Sequence, residues 1–128
     1  MKTELIATTQ APAAIGPYSQ AVRFGNLLFT SGQIALTPAG EFVQGGIDEE
    51  TRQVFQNLQA ILEAAGAERT DVIKATVFLQ DMEQFGRVNA IYGEFFGEHK
   101  PARSTVQVAA LPRGAQVEIE LIVALASE

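Results

Sequence analysis

VEIELIVAL, residues 117–125, predicts a β-strand because apolar side chains recur at every second position. Side chains alternate between the two faces of a strand, so these apolar positions share one face. They are Val117, Ile119, Leu121, Val123 and Leu125. Glu118 and Glu120 point to the opposite face. We therefore expect one face of this strand to lie against a core and the other to carry two carboxyl groups.

A second strand-like segment, Ala102–Val108, carries an arginine among residues that suit a sheet. Strand alternation places Arg103, Thr105 and Gln107 on one face. We expect the two glutamates to lie on a neighbouring part of the sheet. An arginine and two carboxyl groups in neighbouring positions predict a site for anion binding and proton transfer. A structural ion pair or an interface contact explains the same pattern, and is the commoner explanation of such charges.

Two helices are expected. Asp48–Ala65 has apolar residues at a spacing of 3.6, acidic residues in its first turn, and Gly66 after its last turn. A second helix begins near Asp81 and ends before Pro101, because proline cannot continue a helix. Between the helices, VIKATVFL (72–79) is β-branched and almost wholly apolar, which predicts a strand covered on both faces.

The N-terminal part predicts a hairpin, with strands at Gln20–Phe24 and Leu27–Ser31 joined at Gly25-Asn26. A further short strand is expected near Leu5–Ala7. The order β-β-α-β-α-β predicts an α+β fold, in which two helices pack on one face of a mixed sheet. Residues 1–128 are expected to form one domain. Apolar positions on both faces of the strands predict an oligomer.

Composition excludes several kinds of site. The chain has no cysteine and one histidine, His99, so a thiolate nucleophile is excluded, and a catalytic triad or a zinc site lacks its usual residues. The net charge of −6 disfavours binding to nucleic acid. The N-terminus lacks the apolar core of a signal peptide, and no run of 18 apolar residues occurs. We expect a cytoplasmic protein without a membrane span.

Several separated motifs resemble the Rid family, the reactive intermediate deaminases, also called the YjgF or L-PSP endoribonuclease family. The N-terminal motifs are APAAIGPYSQA (11–21) and FTSGQIALTPAGE (29–41). The others are DVIKATVFLQDMEQF (71–85), VNAIYGEFF (88–96), PARST (101–105) and VEIELIVAL. Their order and approximate spacing are those of the family, and the resemblance covers nearly the whole chain. The deaminase branch is the most similar.

The resemblance implies a fold like that of small trimeric chorismate mutase, and a homotrimer with active sites between subunits. It also implies hydrolysis of reactive 2-enamine or 2-imino acids, such as 2-aminoacrylate and 2-iminopropanoate, to a 2-keto acid and ammonia. No cofactor and no metal are implied. The chemistry suits these residue types, because guanidinium fixes a carboxylate and a carboxyl group can move the protons of water.

The resemblance also assigns roles to single residues. Arg103 binds the substrate carboxylate, and Glu118 positions or activates water. Three further side chains line the same cleft: Tyr18, Ser31 and Asn89. Gly32 contributes backbone contacts. Without the resemblance, the tyrosine is more simply explained as a packing aromatic, the serine and glycine as a strand end, and the asparagine as a surface residue.

Two features depart from the commonest family pattern. Thr105 stands where many members have cysteine, so chemistry that depends on a thiol is excluded, although its backbone N–H can still meet a carboxylate. The link GEHKPARS (97–104) is of the shorter form. Two other functions remain open: a regulatory module that binds a 2-keto acid without turnover, and an RNA-cleaving translation inhibitor. The acidic charge and the lone histidine argue against the second.

Overall fold

The computed structural model describes residues 2–126. The strands are β1 (Thr3–Ile6), β2 (Ala21–Phe24), β3 (Leu27–Thr30), β4 (Val72–Leu79), β5 (Ala102–Gln107) and β6 (Val117–Ala124), and the helices are α1 (Ile47–Ala64) and α2 (Phe85–Phe96). The observed order is β-β-β-α-β-α-β-β. The predicted fold class is confirmed, but the predicted order β-β-α-β-α-β lacks β1, which was expected separately, and counts one strand after α2 where the structure has two, β5 and β6. Neither helix in this part of the chain is long and apolar enough to cross a membrane.

The six strands form one mixed sheet in the order β1-β2-β3-β6-β4-β5. Every neighbouring pair is antiparallel except β4 and β5, which are parallel and are connected through α2. The predicted hairpin joins β2 to β3, and Gly25 has a φ of 61°, which suits a tight turn. Strand β6 therefore lies inside the sheet, whereas β5 lies at one edge, with β4 between them.

The core lies between the two helices and one face of the sheet, which we call the helical face. Four apolar residues of β6 are buried there: Val117, Ile119, Leu121 and Val123. The apolar stripe of α1 packs against them, and Leu58 and Leu62 are fully buried. The expected amphipathic pattern of strand and helix is thus confirmed.

The other face of the sheet, the open face, carries several apolar side chains that no element within residues 2–126 covers. Phe24, Leu27 and Phe29 are 45%, 38% and 44% exposed, and Val106 on β5 is 42% exposed. Strand register places all four on this face. Exposed apolar patches of this kind mark interaction surfaces.

Candidate active site

Arg103 lies on the helical face of the sheet. In the parallel pairing of β4 and β5, Arg103 is in register with Ala75 and Thr105 with Val77. Residues in register on neighbouring strands point to the same face, and Ala75 and Val77 are buried beneath the helices. Strand β5 thus presents the arginine toward α2.

Glu118 lies on the open face. It is in register with Phe78 of β4, and Glu120 is in register with Thr76. The prediction that the arginine and the glutamates belong to neighbouring parts of the sheet is therefore wrong for a single chain. Strand β4 separates them, and their side chains point to opposite faces. Among the described residues, Arg103 forms no ion pair with either glutamate, so the structural ion pair is not formed either.

Three side chains of α2 hold the guanidinium of Arg103. Its Nη1 donates a hydrogen bond of 2.7 Å to Asn89 Oδ1. Its Cζ lies 4.7 Å from the ring centre of Tyr92 and 5.3 Å from that of Phe85, which are cation–π distances. These three residues share one stripe of the helix because they are four and three positions apart. The guanidinium is thus oriented while most of its N–H groups stay available for an anion.

The arginine half-site is the cleft of about 440 Å³ that Arg103, Asn89 and Tyr92 line with His99 and Lys100. Two buried hydroxyl groups have no hydrogen-bond partner among the described residues, those of Tyr92 and Thr105. Burial raises the pKa of Tyr92, and the charge of Arg103 opposes this effect. The sequence placed Tyr92 only on the apolar face of a helix. Tyr92 follows Asn89 by three residues, so the two side chains share one stripe of the helix. This spacing was the sequence signal that could have placed Tyr92 next to Arg103.

Glu118 lies in a second cleft, the glutamate half-site, of about 540 Å³. Three other predicted site residues line the same cleft: Tyr18, Ser31 and Gly32. The Ser31 hydroxyl donates to the carbonyl of Ser19. The structure thus brings together four of the predicted residues here, whereas Arg103, Asn89 and Thr105 lie in or beside the other half-site.

Gly32 leaves the space that the carboxyl group of Glu118 occupies. A Cβ at position 32 would lie 2.8 Å from Glu118 Cδ, and closer still to Oε2. The two backbones are tied together next to this contact, because Gln33 and Ile119 exchange both of their N–H to carbonyl hydrogen bonds, at 2.9 and 3.2 Å. A side chain at position 32 therefore forces the carboxyl group to move.

Glu118 has a raised pKa, first because the carboxyl group is partly buried and second because Glu120 carries a like charge nearby. A carboxylate whose pKa is raised toward neutrality is a better proton acceptor for water than an ordinary surface carboxylate. The glutamate half-site therefore offers a base with polar side chains around it. None of the four predicted site residues gathered here carries a guanidinium like that of Arg103 in the other half-site.

The fold and these half-sites define a class of protein: a small α+β domain with an oriented arginine on one face of its sheet and a partly buried carboxyl group on the other. The model of the family described as Endoribonuclease L-PSP matches residues 8–125. The chain belongs to this family, the Rid family.

Relatives and solved structures agree with this assignment. The mouse protein named 2-iminobutanoate/2-iminopropanoate deaminase is 53% identical over 93% of this chain and 89% of its own length. The YjgF gene product of Escherichia coli is 48% identical, with a TM-score of 0.90 over 94% of this chain and 98% of that one. Escherichia coli TdcF, whose structure contains bound serine, is 42% identical, with a TM-score of 0.91 over 96% of this chain and 99% of that one.

Proposed function

We propose that the protein hydrolyses 2-imino acids, such as 2-iminopropanoate and 2-iminobutanoate, to 2-keto acids and ammonia. The observation that carries this proposal is that the chain has both an oriented arginine and a partly buried carboxyl group with a raised pKa, in a family whose relatives include named deaminases of such imines. The structure of TdcF with bound serine adds that a related protein binds a small molecule with an α-carboxylate.

Arg103 binds the carboxylate of the substrate. Its planar fork matches two carboxylate oxygens, and the rings of Tyr92 and Phe85 restrict its rotation. The backbone N–H of Thr105 is a further donor to the same anion. This contact fixes the position of the imine carbon, which stands next to the carboxylate.

Glu118 accepts a proton from water as the water oxygen bonds to the imine carbon, which is electrophilic because its nitrogen is protonated. The resulting tetrahedral intermediate carries a hydroxyl group and an amino group on the same carbon. Glu118 returns the proton to the nitrogen, and the C–N bond then breaks with its electrons leaving on ammonia. The hydroxyl group loses its proton to Glu118 as the keto C=O forms, and this proton passes to the departing ammonia, which leaves as ammonium. Tyr18 and Ser31 line this half-site and offer hydroxyl groups to the water and the nitrogen.

The complete site needs two copies of the chain, because Arg103 and Glu118 point to opposite faces of one sheet. We infer a homotrimer in which the arginine half-site of one subunit meets the glutamate half-site of the next. The apolar open face, with Phe24, Leu27 and Phe29, is the surface that such a trimer would bury. Burial of that surface favours association through the hydrophobic effect.

The other functions have weaker support. A 2-keto-acid sensor needs Arg103 but has no use for a base with a raised pKa. For RNA cleavage, the net charge of −6 opposes binding to a phosphate backbone. His99 Nε2, on the single histidine, lies 2.7 Å from the carbonyl of Val72, so this nitrogen contacts backbone rather than a ligand.

An imine-hydrolysis assay tests the function. An amino-acid oxidase generates 2-iminopropanoate or 2-iminobutanoate in the presence of semicarbazide, which traps the free imine as a product that absorbs ultraviolet light. We expect the purified protein to reduce the trapped imine in proportion to its concentration and to increase the rate of ammonia release. Binding of 2-oxobutanoate without any acceleration would instead identify a sensor.

Complementation tests the shared site. Chains with Arg103→Ala and chains with Glu118→Gln should each be inactive, but co-expression should restore activity. If the chains mix at random, roughly a quarter of the interfaces contain both intact half-sites, because each intact half occurs with a chance of about one half. Light scattering should give the mass of a trimer. A monomeric mass at micromolar concentration, or no recovery in verified mixed trimers, would contradict a site between subunits.

Replacement of Gly32 by alanine is expected to lower kcat/KM about 100-fold, since a displacement near 1 Å at a reacting group has effects of that size. The melting temperature should change little, because the displaced Glu118 side chain is only partly buried. Gly86→Ala is the control, because nothing lies within 4 Å of a Cβ at that position. It should keep full activity. Full activity in Gly32→Ala would show that catalysis does not need this placement of Glu118.

A further inference from the structure

Arg113 lies on the wall of the glutamate half-site, beside Pro112 and on the same cleft as Glu118. Its backbone is in the left-handed region, with φ 62° and ψ 19°. It is the only non-glycine residue of the described chain with a positive φ. Residues with a Cβ rarely adopt this conformation, and when they do they are often found at functional sites.

The side chain of Arg113 differs from those of the other five arginines. Each of the others contacts an acceptor within the chain. Arg23 donates to the carbonyl of Gly25, Arg69 donates to Gln59 and to the carbonyl of Phe95, and Arg103 donates to Asn89. Arg52 pairs with the carboxylate of Glu94, and Arg87 pairs with that of Asp48. Within residues 2–126, no hydrogen bond or ion pair involves the guanidinium of Arg113. It therefore remains available to a molecule in the cleft.

The turn that carries Arg113 is firmly attached to the core. Glu50, 4% exposed at the start of α1, accepts hydrogen bonds of 2.9 Å from both the backbone and the side-chain amide of Gln116. Ala115 is fully buried, and its N–H donates to the carbonyl of Pro112 at 3.0 Å. The left-handed residue thus has fixed backbone neighbours, and its side chain starts from a defined point on the cleft wall.

We propose that Arg113 determines specificity by binding a second carboxylate on the substrate, so that the protein favours 2-imino dicarboxylic acids. This inference rests on the proposed function, in which Arg103 of a neighbouring subunit binds the first carboxylate. The reacting carbon then lies near Glu118, and the substrate side chain extends into the glutamate half-site. A cleft of about 540 Å³ has room for a side chain longer than methyl or ethyl. The guanidinium of Arg113 offers the planar fork that a carboxylate fits.

The test compares two imines, one from an L-glutamate oxidase and one from alanine, on the intact protein and on Arg113→Asn. Asparagine removes the charge and tolerates the left-handed conformation. We expect the ratio of kcat/KM for the dicarboxylic over the monocarboxylic imine to fall about three- to tenfold, as for a partly exposed charge pair. Arg52→Gln, which removes the same charge from α1, should leave the ratio unchanged. An unchanged ratio in Arg113→Asn overturns the inference but leaves the proposed function in place.

A binding measurement gives an answer that does not depend on turnover. 2-Oxoglutarate should raise the melting temperature of the intact protein more than 2-oxobutanoate does, and Arg113→Asn should remove that difference. If the protein hydrolyses neither imine, the proposed function fails and these shifts alone decide the role of Arg113. Equal shifts by the two keto acids, or a difference that persists in Arg113→Asn, would overturn the inference.

Discussion

Glu118→Gln is expected to lower kcat/KM for 2-iminopropanoate by about 10²–10⁴-fold, the usual contribution of a positioned general base. Glutamine keeps the size of the side chain next to Gly32 but cannot accept the proton from water. The loss should appear in kcat, because Arg103 still binds the substrate. Steady-state kinetics with a coupled oxidase, at several protein concentrations, measure both parameters. Full kcat in Glu118→Gln would show that another group is the base.

The pH dependence follows from the raised pKa of Glu118. Activity should fall as pH drops through this pKa, so the acidic limb of the kcat/KM profile should lie above the range of an ordinary glutamate. Glu120→Gln is the matched control, because Glu120 lies on the same face two residues away and its charge helps to raise the pKa. This variant should remain active and shift the limb to lower pH.

Stability should change in the opposite sense to activity. A raised pKa means that, between its unfolded and folded values, the folded state binds more protons at Glu118 than the unfolded state does. The free energy of unfolding therefore falls as pH rises through that interval, and the loss is complete above it. At neutral pH, Glu118→Gln should unfold at the same temperature as the intact protein or a higher one, as measured by calorimetry. A marked decrease would indicate a structural role.

Arg103→Ala is expected to lower kcat/KM at least roughly ten- to a hundredfold, because a hydrogen bond to a charged group contributes about 1.5–3 kcal/mol. Most of the loss should appear as a higher KM, since the contact forms with the substrate as well as with the transition state. Arg103→Lys should recover only part of the activity, because an ammonium group cannot form the two parallel bonds of guanidinium.

Arg87→Ala is the matched control for Arg103→Ala. It removes a positive charge from α2, and Arg87 contacts Asp48 at 3.3 Å instead of facing the arginine half-site. Its kcat/KM should equal that of the intact protein. Loss of activity in both variants would point to a general effect of charge, and normal activity in Arg103→Ala would contradict the carboxylate clamp.

The sequence by itself was sufficient for the local structure. Alternation of side chains in 117–125 identified β6 and its buried face, and the 3.6 spacing in 48–65 identified α1 to within a residue at each end. These patterns can be recognised in the sequence because each depends on the conformation of one segment. Apolar residues on both faces of the strands predicted an oligomer, which stays a prediction, since residues 2–126 of a single chain leave the open face uncovered. The motifs predicted the family, which the family model confirms.

Some features near the site could not be read from one segment. Tyr92 looked like a core aromatic, and its contact with Arg103 depends on how α2 lies over β5. The close approach of Gly32 to Glu118 joins residues far apart in the chain. The left-handed backbone of Arg113 belongs to a turn that a hydrogen bond from Gln116 to the distant Glu50 ties to α1. Each of these features arises from contacts between separate elements.

The relative position of Arg103 and Glu118 depends both on alternation within each strand and on register between strands. Alternation within each strand could be predicted from the sequence, which correctly grouped Arg103 with Thr105 and Glu118 with Glu120. The position of β4 between these strands, and the register that sends the two groups to opposite faces, became known from the folded structure. Alternation is a local property of a strand. Register depends on hydrogen bonds and packing between distant segments, and a slip of one residue exchanges the two faces.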